Sequence, residues 1–303
     1  MISYKGLEHR LAEKKITKTA LAKELGISSR TIAKIGRGEK IADRVLARIA
    51  AFLACDPQEL YEYVSDNVLL QTLREEKSIR MPGGLYHELQ VRMTYNSNHI
   101  EGSMLSEEQT RLIFETASVS APDGIPVDDI IETVNHFRAV DYVIDHAEDP
   151  LSEECIKQLH LILKQGTTDS ALEWFAIGDY KKHENVVGGR STAAPQDVPA
   201  RMKALILGYE QADTITIEDI IRFHYEFERI HPFQDGNGRV GRLIALKECL
   251  RHDIVPFIIE DHKKMFYYRG LAEWENEEGF LIGTCLDGQD TFRRLMAAFG
   301  IGE

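Results

Sequence analysis

The sequence predicts a mainly α protein in two parts: a small helical bundle, then a larger helical body that contains one β-hairpin. Apolar residues recur at helical spacing along most of the 303 residues, and β-forming residues alternate only around 173–197. The length is typical of two domains. The apolar content of 43% is enough for a sizeable packed core, which excludes wholesale disorder.

Charge is distributed unevenly between the two parts. Residues 1–60 hold 12 Lys and Arg against 7 Asp and Glu, a net charge of +5, whereas the rest carries −18 and the whole chain −13. A basic head on an acidic body indicates two separate functions. Binding to nucleic acid is therefore expected of the head and not of the body.

The sequence also restricts the cellular location. No window reaches the eighteen uncharged apolar residues of a membrane span, and the first fifteen residues lack the apolar region of a signal peptide. The four cysteines are widely spaced, without a CxxC pair. This spacing favours reduced thiols in a cytoplasmic protein without a membrane partner over a zinc site or a disulfide framework.

Four helices are predicted in the head. The first covers 5–15, and Thr17 caps the second, TKTALAKEL. Gly26 supplies a turn, Ser28 caps the third helix, SRTIAKI, and the fourth follows in ADRVLARIAAFLAC. A helix, a turn with glycine and a second helix form the arrangement that places the second helix in the major groove of DNA.

The segment TKTALAKELGISSRTIAKIGRGE resembles the Cro/C1-type (XRE-like) helix-turn-helix family. The resemblance implies that 1–62 form a DNA-binding domain, and the small contact area of one such module predicts a homodimer. An open alternative is a helical docking domain that kept the fold and lost DNA binding. The recognition helix would present Ser28, Ser29, Arg30, Thr31 and Lys34 to DNA.

The body is predicted to start with a charged helix from residue 60 to 81, part of a linker over 63–84 that ends at the Pro82-Gly83-Gly84 break. The alternating segment GDYKKHENVVGGRSTAAP, with Gly188-Gly189 at its turn, predicts the β-hairpin. Further helices are expected at 84–96, 106–118, 127–147, 152–164, 198–212 and 216–229.

The motif HPFQDGNGRVGR, at 231–242, combines several chemical groups at short spacing. Gly236, Asn237 and Gly238 tolerate positive φ, so their backbone N–H groups can converge on an anion at the start of the next helix. Arg239 and Arg242 are three residues apart and can hold outer phosphate oxygens with forked hydrogen bonds.

The same motif carries a metal ligand and a base. Asp235 offers a hard oxygen to a Mg²⁺ ion that bridges phosphates. His231 offers a base expected to titrate near neutrality. The combination indicates a nucleotide-processing loop, and the chain has neither the GxxxxGK[ST] motif of P-loop enzymes nor the glycine-rich loop of protein kinases.

This loop resembles the Fic motif, HPFx[D/E]GNGRxxR, at every specified position. Asn135-His136, Leu159-His160 and the hairpin agree with the family as well, so the resemblance covers about 85–285. It implies a Fic domain over 85–303, an all-helical core whose hairpin, 178–197, is the flap that clamps a target segment.

The resemblance also implies an activity, the transfer of AMP from ATP to a Ser, Thr or Tyr hydroxyl of a target protein or of the chain itself. His231 would deprotonate the hydroxyl, and Asp235 would hold Mg²⁺ against the α- and β-phosphates. The nest of residues 236–238 would cradle the phosphates, and the two arginines would hold the β and γ groups. Further nucleotide contacts are implied for Val187, Gly188, Gly189, Arg190, Tyr267, Tyr268 and Asn276.

A second element lies upstream, in SNHIEG at 97–102, which resembles the Fic inhibitory motif [S/T]xxxE[G/N] through Ser97, Glu101 and Gly102. The resemblance places an inhibitory helix at about 92–102. Glu101 would pair with Arg242 and so occupy the guanidinium that the γ-phosphate needs. The Ser97 hydroxyl would help to position the carboxylate.

Several alternatives to AMP transfer remain open. The same site could remove AMP from a target, with Glu101 positioning a water molecule, or it could transfer another group such as UMP or phosphate. The intact DGNGR sequence favours nucleotidyl transfer. A transcriptional regulator that only senses nucleotide is a further alternative, although binding alone does not need a base at His231. In the leading interpretation, AMP transfer, the DNA-binding head could regulate transcription of its own gene.

Overall fold

The computed structural model describes residues 2–36, 39–63, 67–120 and 124–301. The chain divides into two compact units, Met1–Val68 and Leu69–Glu303. Both units are built mainly from α-helices, which confirms the predicted fold class. Among the described residues, none of the helices combines the length and the apolar composition of a membrane span.

The smaller unit is a helical bundle around its own core. Thr17 Oγ1 accepts a hydrogen bond from Ala20 N (3.1 Å), and Gly26 ends the same helix at a φ of 58°. Leu7, Leu21 and Ile49 are fully buried. The helices are α1 (Lys5–Glu13), α2 (Lys18–Leu25), α3 (Ser29–Gly36) and α4 (Asp43–Leu53).

The junction after the bundle differs from the prediction of a helix from residue 60. Pro57–Leu60 form a 3₁₀ turn that buries Leu60, and strand β2 (Glu62–Tyr63) pairs antiparallel with β1 (Ile2–Ser3). Helix α5 starts only at Val68 and ends at Ile79. Local periodicity could not reveal a strand whose partner lies sixty residues earlier in the chain.

The predicted helices of the larger unit form within a few residues of their expected ends. Two helices near the C-terminus were not among those predicted. Leu69, Leu70 and Leu73 of α5 are buried in the core of this unit, so the helix predicted as a linker is an integral part of it. The helices that follow α5 are α6 (Leu85–Ile100), α7 (Glu107–Thr116), α8 (Val127–Asp145), α9 (Glu153–Lys164), α10 (Val198–Glu210), α11 (Ile217–Ile230), α12 (Asn237–Arg251), α13 (Lys264–Glu273) and α14 (Gly279–Ala298).

The predicted hairpin forms as strands β3 (Val186–Val187) and β4 (Arg190–Ser191), which pair antiparallel. Gly188 and Gly189 adopt φ values of 55° and 79°, the pair of positive angles that a tight two-residue hairpin turn requires. Lys181 N donates to Pro232 O (2.8 Å), which ties the base of the hairpin to the start of the 231–242 motif.

Candidate active site

The 231–242 motif forms a tight loop between α11 and α12. His231 ends α11 in the left-handed region, at a φ of 52°, and its N–H donates to Phe227 O (2.9 Å). The Asn237 side chain closes the loop, because Oδ1 accepts from Phe233 N (2.8 Å) and Nδ2 donates to Phe233 O (2.9 Å). Gly236, at a φ of 79°, then caps α12, so the predicted backbone nest lies at the helix N-terminus.

Aromatic packing holds the loop in place. The Phe233 ring is fully buried and stacks on the His160 imidazole, with ring centroids 4.0 Å apart. His160 Nδ1 accepts a hydrogen bond from Gly178 N (3.0 Å), and Asn135 Nδ2 donates to Leu163 O (3.0 Å) at the end of the same helix. His160 therefore supports the loop from α9, and Asn135 of α8 holds the end of α9.

Arg242 faces the last turns of α6. Its side chain is only 3% exposed, and its Nη2 donates to Glu101 Oε1 (2.7 Å) and to the Ser97 carbonyl (2.8 Å). Nε donates to Ser97 Oγ (3.0 Å), and Nη1 lies 3.4 Å from the Tyr267 hydroxyl. Ser97 therefore accepts from the arginine, whereas the sequence predicted that its hydroxyl positions the carboxylate. The guanidinium is fully engaged.

Glu101 also reaches the phosphate nest. It caps the C-terminus of α6, and a Cβ atom placed on Gly238 would overlap the Glu101 carboxylate. Only glycine therefore leaves room for this carboxylate at the N-terminus of α12. An acidic group at that position neutralises the positive end of the helix and fills the space suited to an anion. Gly102, at a φ of 103°, ends the segment 97–102.

A second ion-pair cluster lies on the other side of the nest, and two of its members were missed by the sequence analysis. Lys164 Nζ donates to Asp235 Oδ2 (2.7 Å) and Glu132 Oε1 (2.6 Å), and its side chain is 3% exposed. Arg239 pairs with the same two acids. Burial opposes ionisation of Asp235, but Arg239 and Lys164 lower its pKa to about 2.

Asp235 has the properties of a single-carboxylate ligand for Mg²⁺. Its side chain is 50% exposed, it is ionised, and the cations bind only its Oδ2 atom. The described parts of the chain contain no set of three or more His, Cys, Asp or Glu arranged for a metal, so Asp235 would act as a single protein ligand. A Mg²⁺ ion here would therefore share Asp235 with nucleotide phosphates, a common arrangement for this ion.

His231 is a weaker base than its residue type predicts. Burial and the nearby Lys181 ammonium lower its pKa to about 4, against the expectation of titration near neutrality. Lys181 Nζ donates to Asn185 Oδ1 (2.7 Å) and Thr192 Oγ1 (2.6 Å). The hairpin thus brings a cation close to the base, which the sequence did not reveal.

The hairpin presents apolar side chains to solvent next to this site. Val186 is 64% exposed, and Val187 is exposed as well. Asn185 Nδ2 donates to Phe233 O (3.0 Å), so the base of the hairpin is tied to the 231–242 loop. The Arg190 backbone belongs to β4, whereas its side chain lies outside the described part of the structure.

The three predicted residues near the C-terminus lie in different environments. Tyr267 is buried, with its hydroxyl 2.8 Å from His224 Nε2, so His224 is a hydrogen-bonded core histidine. The Tyr268 hydroxyl donates to Ile100 O (2.8 Å) and holds the end of α6. Asn276 Nδ2 donates to Glu273 Oε2 (3.0 Å) on the surface.

In the head, the predicted contact residues share helix α3 and its cap. Ser28, Ser29 and Arg30 are exposed, whereas Thr31 and Lys34 are half-buried. Ser28 Oγ accepts from Thr31 N (3.2 Å), which caps the helix. The exposed side chains point away from the bundle core and form a polar surface.

Residues 150–249, which include the whole 231–242 motif, match the Fic/DOC family. This region is therefore similar to the Fic domain. Residues 6–66 match the Cro/C1-type HTH DNA-binding domain, so both predicted resemblances are confirmed.

Curated relatives of the Fic region are named protein adenylyltransferase Fic. The Culex quinquefasciatus protein is 28% identical over 188 residues and the Aedes aegypti protein 29% identical over 187 residues. Each match covers 60% of this chain and 36% of the relative, so the chain spans about a third of the length of these relatives.

Solved structures share the fold. A Fic domain containing signaling protein from Bacteroides thetaiotaomicron superposes with a TM-score of 0.61 at 24% identity, covering 77% of this chain and 97% of that one. Fic-1 from C. elegans superposes with a TM-score of 0.58 at 20% identity, covering 93% of this chain and 80% of that one. At these identities the likeness concerns the fold alone.

Proposed function

We propose that this chain transfers AMP from ATP to a Ser, Thr or Tyr hydroxyl of a target protein, or of the chain itself, and that Glu101 inhibits the transfer. The observation that supports the activity best is the position of His231 directly before the nest at the N-terminus of α12. A base at this position can act on a hydroxyl next to phosphates bound by the nest.

In this reaction each group of the motif has one role. His231 removes the proton of the target hydroxyl, and that oxygen attacks the α-phosphorus of ATP. Asp235 would hold a Mg²⁺ ion, which would supply positive charge against the α- and β-phosphates. The nest of Gly236, Asn237 and Gly238 holds the phosphates in line for attack, and Arg239 and Arg242 hold the outer groups.

The inhibition follows from the contacts of Glu101. Its carboxylate binds Arg242 and fills the space beside Gly238, so a γ-phosphate and the carboxylate compete for one guanidinium. ATP then lacks the contact that holds its outer phosphate, and its α-phosphorus is displaced from the line of attack.

The decisive experiment uses ATP labelled at the α-phosphate, with Mg²⁺ and a protein extract as the source of targets. We expect strong labelling with Glu101→Gly, weak labelling with the wild type, and none with His231→Ala. ATP labelled at the γ-phosphate should give no more labelling with Glu101→Gly than with His231→Ala, which reports the kinases of the extract. Labelling above that background from the γ-phosphate, with none from the α-phosphate, would identify a phosphotransferase and contradict AMP transfer.

Removal of AMP is a second candidate, favoured by the position of Glu101. Its side chain is 32% exposed, so one carboxylate oxygen can orient a water molecule at the nest. The wild type should then release AMP from a target labelled beforehand by Glu101→Gly, and Glu101→Gly should not. Absence of release by the wild type would exclude this candidate.

The lowered pKa of His231 predicts the pH dependence of the transfer. A base must be unprotonated, and the free enzyme holds His231 in that form at all pH values above about 4. We therefore expect kcat/KM of Glu101→Gly to stay flat from neutral pH down to about pH 5 and to fall below about pH 4. A fall centred between pH 6 and 7 would show that His231 titrates as an ordinary exposed histidine.

We propose that the head binds DNA as part of a homodimer and regulates transcription of its own gene. The exposed Ser28, Ser29 and Arg30 and the positive charge of residues 1–60 support this proposal. Arg30→Ala in the full chain should weaken binding and flatten the salt dependence by about one unit of slope if Arg30 contacts a phosphate.

Arg44→Ala is the matched control. Arg44 is exposed on α4, so this substitution removes the same charge as Arg30→Ala but from a different helix. Binding is measured over a series of salt concentrations on the region upstream of the gene. If the full chain shows no salt-sensitive binding to DNA, the head is a docking domain instead.

A further inference from the structure

Glu228 lies one helical turn before His231 on α11, and the mechanism above gives it no role. Its Oε2 atom lies 3.8 Å from His231 Nδ1, which is buried and has no hydrogen-bond partner in the described part of the chain. Oε1 is buried and has no hydrogen-bond partner among the described residues. A buried carboxyl with an unpaired oxygen is costly, so its position beside a base indicates a function.

The surroundings of Glu228 leave room for the carboxyl and little for anything else. A Cβ atom on Gly241 of α12 would lie 3.0 Å from Glu228 Oε1 and 2.8 Å from His224 Nδ1. A larger residue at position 241 would therefore push both side chains out of place. His224 is itself fixed by the Tyr267 hydroxyl, so Glu228 is confined between a rigid helix and the base.

Charges on the neighbouring elements act on both partners. Burial and the carboxylate of Glu101 raise the pKa of Glu228 to about 8, while Arg242 opposes this shift. His231 faces the Lys181 ammonium, which favours its neutral form, and the carboxylates of Glu101 and Asp235, which favour its charged form. Glu228 thus holds its proton at neutral pH, and its carbonyl oxygen remains an acceptor.

We propose that Glu228 is a positioning residue for His231, whose Nδ1–H donates to the Glu228 carboxyl. This hydrogen bond leaves the lone pair on Nε2, where the base needs it. The inference rests on the proposed AMP transfer. The distance of 3.8 Å is longer than a hydrogen bond, and contacts of this kind commonly shorten when substrate binds.

The step balances without any further reactant. The proton of the target hydroxyl moves to His231 Nε2 while the hydroxyl oxygen forms a bond to the α-phosphorus. The bond from that phosphorus to the bridging oxygen of the β-phosphate breaks, and pyrophosphate leaves with the electron pair. The Nδ1 proton stays on the ring and is held by Glu228 throughout, so the imidazolium is stabilised as it forms.

One test needs no turnover. The ring ¹⁵N shifts of His231 in the labelled full chain report which nitrogen carries the proton, and His231→Ala assigns the signals. We expect protonated Nδ1 in the wild type and in Glu228→Gln, because glutamine keeps an acceptor oxygen and the shape of the side chain. Glu228→Met should shift the ring toward protonated Nε2. An unchanged shift in Glu228→Met would overturn the proposal.

The second test measures kinetics in the Glu101→Gly background. Glu228→Met should lower kcat by about tenfold or more, with the KM for ATP unchanged, and Glu228→Gln should retain most of kcat. Glu218→Gln is the control, since Glu218 is exposed in the first turn of the same helix. Equal kcat in Glu228→Met and its parent overturns the proposal, and so does a common rise in KM in both Glu228 variants.

The two tests separate this inference from the proposed function. If the Glu101→Gly parent transfers no AMP to any target, the proposed function fails, and the ring shifts still decide whether Glu228 sets the tautomer. If the parent is active and the Glu228 variants match it, only the positioning role fails.

Discussion

Replacing His231 with Ala should abolish AMP transfer while leaving ATP binding nearly intact. Loss of a general base lowers a rate by about 10²–10⁴-fold. The nest and both arginines come after Pro232 and Phe233 in the chain. The Asn237 side chain closes the loop through its two hydrogen bonds to the Phe233 backbone, and the imidazole takes no part in them. The phosphates should therefore bind as before.

The conformation of His231 calls for a second variant. At a φ of 52°, Ala is strained, whereas Asn tolerates the left-handed region. His231→Asn thus removes the base and keeps the helix end. Both variants are measured for label transfer from ATP and for ATP affinity by calorimetry, in the Glu101→Gly background. Labelling near the parental rate in either variant would remove His231 as the base.

The sequence predicted those parts of the fold that depend on neighbouring residues. Ser106 and Gln109 form the expected capping box at the start of α7, with Ser106 Oγ accepting from Gln109 N (3.1 Å) and Gln109 Oε1 accepting from Ser106 N (2.9 Å). The turn at Gly188 and Gly189 and the nest before α12 are equally local. Each is specified by a few adjacent residues whose conformational preferences agree.

The site could not be completed from the sequence, because its remaining groups come from distant segments. Lys164 and Glu132 reach Asp235 from α9 and α8, and no spacing along the chain predicts that meeting. The lowered pKa of His231 depends on burial and on Lys181 of the hairpin base, and neither follows from residue type. One feature of the sequence could have indicated Lys164. It lies one helical turn after His160, so the two side chains share a face of α9.

The pairing of Glu101 with Arg242 leads to the second large effect. Glu101→Gly should raise AMP transfer, including self-modification, by about 5- to 150-fold, the range of a typical regulatory coupling free energy. The variant also leaves a buried guanidinium without its carboxylate, so Tm should fall, and ATP should restore part of the loss by replacing the carboxylate.

Matched variants separate the charge of Glu101 from its bulk. Glu101→Gln keeps the size and removes the charge, and it should release inhibition partly, because an amide oxygen still reaches Arg242. Glu108→Gln, in the exposed first turn of α7, is the control for a lost acidic group outside the site. Ser97→Ala should also release inhibition partly, since the Ser97 main-chain carbonyl keeps its bond to the arginine.

Substitution of Arg242 is a stricter test of the inhibition, because one guanidinium binds both the Glu101 carboxylate and the phosphate of ATP. Arg242→Ala should therefore lower transfer by about 10²–10³-fold in either background, as removal of a donor to transition-state charge commonly does. The double variant Glu101→Gly/Arg242→Ala should match Arg242→Ala alone, a strong departure from additivity between residues in contact.

If Glu101→Gly leaves the rate unchanged with a competent target, Glu101 is an ordinary helix end and the inhibition fails. The transfer itself would survive that result, because it depends on the loop from His231 to Arg242.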